Sequence, residues 1–346
     1  MRRVLIVRLG AIGDALRVLP ALRRLRVDRP DLEIGWAVED WVVPLLRGNP
    51  NVDRFHVLER RALRAGGGAA LREIRRFAVE IRSAGYDVAV DLQGRLKSGV
   101  ATRLSGAPLR IGYARRDGSE GNFLFTNRHV RLPDTRENRV QRFLHMMEPL
   151  GARPEVVPGD FGVAVDAAAR QRAVAWYAAE GRPPIAVYPG SSLHRAAYQR
   201  WQPERWAELL ARLARAGHAS VVFWGPNEED YVEEIARGAG AACRLAPATS
   251  LVDMMAMLGF FRLFVGSNTG AMHMSWLQGV PTVFFPGPAE PRTDAPFGGV
   301  PFRALWAGQH FRPRAPRSTQ GDCVRAVSVD EAELAVLELI ASVGGE

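Results

Sequence analysis

Val4-Leu5-Ile6-Val7 is an unbroken apolar run that Gly10 and Gly13 close. It predicts a strand buried on both faces, turning into a helix. The alternation recurs: Ile34–Val38 reads as a strand, and Val88-Ala89-Val90-Asp91 as another. Between them Leu71, Ile74, Phe77, Ala78 and Ile81 keep helical spacing, with Arg72, Arg75, Arg76 and Arg82 interleaved. Around Gly151–Gly162 the composition shifts to Gly, Pro and Val, as in a linker, and the rhythm then restarts. Ile185–Tyr188, Ser220–Trp224, Leu263–Val265 and Thr282–Phe285 read as strands. Pro203–Ala216, a stretch from about Met272 to Gln278, and the amphipathic Asp330–Val343 read as helices. Strands alternating with helices predict α/β units with parallel sheets, whose ligands bind beyond the carboxyl ends of the strands. The expected organisation is an N-terminal domain over 1–160, a C-terminal domain over 161–328 and a closing helix over 329–346 able to pack back on the first domain.

With 346 residues there is enough chain for two such domains, and 47% hydrophobic with 24% charged residues describes a soluble globular protein. Cys243 and Cys323 have no metal-site spacing and form no disulfide framework, which fits a reducing compartment. Arg8 cuts the first apolar run too short for a signal peptide, and no stretch reaches membrane-span length. The charge is uneven. Residues 1–150 carry 28 Lys and Arg against 17 Asp and Glu, and the other 196 carry 18 against 20, so the whole basic excess lies in the first half. An anionic membrane surface or a phosphorylated substrate suits such a half. Nucleic acid is not expected, because the basic residues follow no recognisable module.

Four segments carry candidate chemistry. Gly10-Ala11-Ile12-Gly13-Asp14 follows the first strand but lacks the spacing of a dinucleotide site or a P-loop. Asp14 fits there either as a helix N-cap or as a general base at a strand's carboxyl end. Pro189-Gly190-Ser191-Ser192, with Arg195 and Arg200 beyond it, fits a phosphate cradle as well as an ordinary turn with surface arginines. Gly266-Ser267-Asn268-Thr269-Gly270-Ala271-Met272-His273 is the most informative, since hydroxyl, amide and N–H groups converge between a strand and a helix start. Pro286–Pro291 forms a rigid loop after the next strand. In Trp224-Gly225-Pro226-Asn227-Glu228-Glu229, a carboxylate at a strand end can hold a ribose hydroxyl or simply open a helix.

Together these segments resemble glycosyltransferase family 9, the bacterial heptosyltransferases of the lipopolysaccharide inner core. The matching pieces are Val4–Arg8 with Gly13-Asp14 and Leu19–Leu22; Asp91–Gly94 with Lys97-Ser98; Pro189–Ser191 with Trp201; Asn268–Gly270 with His273; and the Cys323–Leu337 ending. Gly35–Glu39 and Trp224–Glu229 look more like the branch adding the first heptose. The resemblance implies a GT-B fold: two Rossmann-like domains facing across a cleft, the first for a lipid-linked acceptor and the second for an ADP-sugar. It implies an inverting, metal-independent transfer with no cofactor, in a cytoplasmic enzyme peripheral on the inner face of the inner membrane. By the same resemblance Asp14 is the base. Gly190, Ser191, Ser192, Arg195, Gln199, Arg200, Glu228, Asn268, Thr269, Gly270 and His273 form the donor site, and Gly13, Arg64, Lys97, Arg115 and Arg116 serve the anionic acceptor.

Two positions depart from the family pattern. Asn268 stands where the family usually has Asp, and Gln199 where it usually has a Lys thought to neutralise the donor phosphates. Arg195 or Arg200 could supply that charge. Two other readings follow from the departures: a GT-B transferase with another nucleotide-sugar and envelope acceptor, or a silent member that only binds nucleotide or glycan.

Overall fold

The computed structural model describes residues 1–178, 184–191, 200–287, 290–308 and 322–343. The chain divides into two units, Met1–Ala164 and Val165–Glu346. Each holds a six-stranded, wholly parallel sheet. In the first, β1 (Arg3–Val7), β2 (Glu33–Glu39), β3 (Arg54–Leu58), β4 (Val88–Asp91), β5 (Leu109–Tyr113) and β6 (Arg128–Val130) run in the order β3-β2-β1-β4-β5-β6. In the second, β7 (Ile185–Tyr188), β8 (Ser220–Val222), β9 (Cys243–Leu245), β10 (Leu263–Ser267), β11 (Thr282–Phe285) and β12 (Phe302–Ala304) run β12-β11-β10-β7-β8-β9. Sequence order therefore reverses between β1 and β4 in one sheet, and between β7 and β10 in the other. At such switch points the loops leave in opposite directions and open a crevice at the strands' carboxyl ends.

The apolar runs read from the sequence are the central strands. Val4–Val7 are inaccessible, covered on both faces and paired with β2 and β4. The core of the first unit joins Leu5, Val7, Ala37 and Ala89 to Phe77 and Ile81 of the helix Gly67–Ser83. That helix turns a narrower face inward than its spacing suggests. Leu71 and Ile74 are 54% and 39% exposed, and Glu73 takes a buried position, accepting from the Glu59 backbone and pairing with Arg76. The segment expected as a linker is fastened to the first unit through Gly162. Asn49 donates to the Gly162 carbonyl at 2.8 Å, Arg24 to that of Glu155 at 2.6 Å, and Arg23 pairs with Asp160 at 2.7 Å.

In the second unit Trp201, Trp206 and Phe285 pack with ring centroids 5.1–5.3 Å apart, against Leu209, Leu210 and Leu213 of the helix Pro203–Arg215. The closing helix, Val329–Val343, contributes Ala332, Val336, Leu339 and Ile340 to this same core. Among the described residues no helix is long and apolar enough to cross a membrane.

Candidate active site

In the first unit the switch point is organised by Asp91 at the end of β4. Fully buried, its carboxylate accepts from Gln93 N at 2.8 Å, Gly94 N at 3.0 Å and Asn122 Nδ2 at 2.6 Å, and burial pushes the carboxyl above its ordinary range. These bonds shape the loop 91–94. Gly94 adopts φ +68°, and a Cβ there would lie 2.8 Å from the Tyr113 ring, so only glycine fits. Gln93 Oε1 then accepts from Leu9 N at 3.1 Å, tying this loop to the one after β1.

Asp14 lies in the short helix Ile12–Leu16, whose N-cap position is Ala11, so it does not cap the helix. Its carboxylate is ion-paired with Arg8 and Arg17, and Arg139 approaches at 3.8 Å. Arg8 is itself buried, with one N–H on the Leu92 carbonyl at 3.3 Å. Burial draws its guanidinium below the ordinary value, and Asp14 acts in the opposite direction. Arg17 Nε donates to the Gly13 carbonyl at 3.2 Å, so the carboxylate sits in a fixed frame of cations.

Beside this frame, at the carboxyl ends of β1, β4 and β5, opens a pocket of about 190 Å³. Arg8, Arg95, Arg139 and Arg142 line it, with Asp117 as its acid and Gln93, Tyr113 and Ser119 as neutral polar groups. Arg142 stacks its guanidinium 5.4 Å from the Tyr113 ring, and burial pushes that phenol up to about 12. None of the acceptor residues expected from the sequence is among the lining of this pocket, and Gly13 adjoins Asp14. Lys97 pairs with Glu39 at 2.5 Å. Arg115 is exposed and stacks 5.5 Å from Phe123, while Arg116 donates to the Leu132 carbonyl at 2.8 Å. Arg64 is exposed on the helix Arg60–Ala65. Arg139 and Arg142 escaped the sequence reading because they come from a helix far along the chain, Arg139–Met147.

In the second unit the loops after β7 and β10 adjoin. Ser267 Oγ donates to the Pro189 carbonyl at 3.3 Å. Two buried hydroxyls on these loops, Ser191 Oγ and Thr269 Oγ1, have no hydrogen-bond partner among the described residues. Buried hydroxyls are ordinarily satisfied, so such a pair marks a place where a polar ligand can bind. Nearby, Glu228 is 3% exposed and accepts from Gly225 N at 3.0 Å, Tyr188 Oη at 3.0 Å and Arg200 Nη2 at 3.1 Å. Burial, reinforced by Glu228, drives the Tyr188 phenol well above its ordinary value, so it stays a donor. Arg200 also stacks 4.5 Å from the Tyr231 ring. A Cβ on Gly190 would fall 2.2 Å from the Glu228 carboxylate, which gives this glycine its reason. Glu229, by contrast, is exposed at the start of the helix Glu229–Ala239.

Asn268 follows β10. Its backbone N–H donates to the Phe285 carbonyl at 3.1 Å, and its Nδ2 to Asp294 Oδ2 at 3.1 Å. Asp294, 6% exposed in the turn of helix Pro291–Asp294, was not anticipated from the sequence. Thr269 and Gly270 open the helix Gly270–Trp276. Within it the Trp276 indole N–H donates to His273 Nδ1 at 2.9 Å. Indole can only donate, so the neutral His273 ring carries its proton on Nε2. Ser192, Arg195 and Gln199 lie outside the described residues. Among the described residues no group of three or more His, Cys, Asp or Glu side chains is placed to hold a metal ion.

Comparison with known proteins places these features in one family. The model of glycosyltransferase family 9 (heptosyltransferase) matches residues 74–299. Lipopolysaccharide heptosyltransferase 1 of Pseudomonas aeruginosa is 28% identical over 304 residues, covering 86% of this chain and 81% of its own. A family 9 glycosyltransferase from Veillonella parvula superposes with a TM-score of 0.81 at 19% identity, covering 99% of this chain and 97% of its own. The heptosyltransferase WaaC of E. coli, solved with ADP-2-deoxy-2-fluoro heptose, superposes with a TM-score of 0.75 at 24% identity, covering 97% of this chain and 99% of its own. The expected fold class, GT-B with two Rossmann-like α/β units of parallel strands, is borne out by these neighbours and by the two sheets themselves.

Proposed function

The chain belongs to glycosyltransferase family 9 and is a glycosyltransferase, and from that premise we propose that it moves a heptose or closely related sugar from an ADP-sugar to the Kdo/heptose inner core of lipopolysaccharide. The observation that carries this reading is the pairing of a framed carboxylate, Asp14, with an arginine-lined pocket at one switch point. In the reaction Asp14 takes the proton of an acceptor hydroxyl. That oxygen bonds to the anomeric carbon as the bond to the diphosphate breaks, and ADP departs with the electron pair. Attack opposite the leaving group inverts the anomeric centre. Arg139 and Arg142, on the pocket wall, bind the acceptor's anionic groups.

In the second unit Glu228 receives a ribose hydroxyl, while Ser191 and Thr269, whose hydroxyls have no partner among the described residues, donate to the diphosphate. His273 Nε2–H and the backbone at Gly190 and Gly270 add donors. No metal is required, because the departing charge meets these N–H and O–H groups together with arginine. Thermal unfolding with ADP, UDP, GDP and their sugars tests the donor. ADP or ADP-heptose at a hundred times its dissociation constant should stabilise the protein by about 2.7 kcal/mol. Stabilisation by UDP or GDP but not ADP would move the enzyme to another nucleotide-sugar.

The acceptor is lipid-linked, which places the enzyme on the cytoplasmic face of the inner membrane. Leu96 and Val100, one turn apart on the helix Leu96–Leu104, are 49% and 37% exposed, and Leu124 on the adjoining turn is 75% exposed. Arg95 joins this apolar group to the arginine pocket. Apolar side chains beside cations suit an anionic bilayer surface. Vesicles rich in phosphatidylglycerol should therefore sediment the protein, and the double variant Leu96→Ser, Leu124→Ser should stay in the supernatant. Equal sedimentation of both proteins would remove this surface from the proposal.

A further inference from the structure

Asn268 is held on two sides. Its backbone N–H is bound to the end of β11, and its side-chain N–H is bound to the buried carboxylate of Asp294. A primary amide has distinct ends, one that only donates and one that only accepts. Because a carboxylate only accepts, the bond to Asp294 fixes which end is which. Nδ2 faces Asp294, and Oδ1 is the end directed away from it. Asn268 lies next to Thr269, whose buried hydroxyl has no partner among the described residues, and on the loop tied to the one bearing Ser191. A nucleotide-sugar carries hydroxyls, and a hydroxyl can donate to a carbonyl oxygen such as Oδ1.

We propose that Asp294 is a positioning residue for the donor sugar: by locking the Asn268 amide, it makes Asn268 an acceptor for a sugar hydroxyl. The carboxylate absent from position 268 has thereby moved one hydrogen bond away, onto the loop after β11. The pair presents an oxygen to the ligand, as a carboxylate at 268 would, while its negative charge sits in the second layer, 6% exposed. The role rests on the reading of the second unit as the ADP-sugar site. It gives that site a sugar-recognising element separate from the groups that hold ADP.

Calorimetric titration of ADP and of ADP-heptose, without acceptor, separates the two contributions. Wild type should bind ADP-heptose more tightly than ADP. Asp294→Ala should weaken ADP-heptose by about tenfold, the worth of one hydrogen bond in this setting, and leave ADP unchanged. Asn268→Asp should weaken ADP-heptose at least as much, because two carboxylates at hydrogen-bond distance cannot both stay ionised. The exchange Asn268→Asp with Asp294→Asn restores one amide, one carboxylate and the bond between them, so it should return ADP-heptose affinity to within about threefold of wild type. A structural role alone would not produce that rescue. An unchanged ratio of ADP-heptose to ADP affinity in Asp294→Ala, or a double variant as weak as Asn268→Asp, overturns the assignment. Should Asp294→Ala fail to fold, the near-isosteric exchange against Asn268→Asp decides alone. Wild type that binds neither ligand would sink the donor reading and this role together, whereas normal wild-type binding with an unchanged variant ratio sinks only the role of Asp294.

Discussion

Replacing Asp14 by Asn should lower turnover of ADP-heptose by about 10²- to 10⁴-fold, the usual worth of a positioned general base, while ADP affinity stays at its wild-type value. The prediction separates two jobs of the same carboxylate. One is chemical, the removal of a proton from the acceptor. The other is electrostatic, since Asp14 is the shared counter-charge of Arg8 and Arg17, each 5% exposed, with Arg139 at 3.8 Å. Asparagine removes both, so stability should fall too, because the buried Arg8 guanidinium loses the anion it pairs with. Asp14→Glu distinguishes them. It keeps the charge for the arginines and should melt close to wild type, but it carries the carboxylate onward by one methylene. Displacement of a base by about 1 Å costs on the order of 10²-fold in rate. The expected pattern is a well-folded, slow Glu variant and a less stable, slower Asn variant, both binding ADP normally. Wild-type turnover by Asp14→Glu would show that the carboxylate serves the arginines and not the acceptor.

The framework of the fold was legible because its central strands are buried on both faces. Val4–Val7, Val88–Val90, Ile185–Tyr188 and Val283–Phe285 are short, largely apolar runs, and each lies in a strand of the structure. The strands that escaped notice are chiefly those at the sheet edges: β3, β6, β9 and β12. Edge strands are covered on fewer sides and carry polar residues that discourage further pairing. Arg128-His129-Val130 and Phe302-Arg303-Ala304 accordingly show no apolar run. The candidate site divides in the same way. Gly13-Asp14, Gly190-Ser191 and Asn268-Thr269 could be found because each follows a recognisable strand. Their partners could not. Arg139 reaches Asp14 from a distant helix, and Asp294 reaches Asn268 from the loop after a different strand. Only Arg17, one helical turn from Asp14, lay within reach of a local pattern.

Glu228→Ala should cost the second unit about 3–5 kcal/mol, the usual penalty for breaking a buried charge pair from one side. Three donors converge on this carboxylate, and all three lose their acceptor at once: the Gly225 N–H, the Tyr188 hydroxyl and Arg200, whose side chain is 18% exposed. For a unit of this length each kcal/mol moves the melting midpoint by about 2–4 °C, so calorimetry should record a fall of roughly 10 °C. Glu228→Gln retains an acceptor oxygen and the side-chain volume, and should fall less. Gly190→Ala approaches the same centre from the opposite wall. Its methyl would sit 2.2 Å from the carboxylate oxygen, so Glu228 must leave its three donors or the loop after β7 must move. If the carboxylate is the shared element, Gly190→Ala and Glu228→Ala should each abolish ADP binding, and the double variant should be little worse than either alone. Additive losses in the double variant would mean that the glycine and the glutamate support the site independently. A Glu228→Ala protein that melts with wild type would mean that Arg200 finds another anion, and the pair would then lose its place as the fixed point of the nucleotide site.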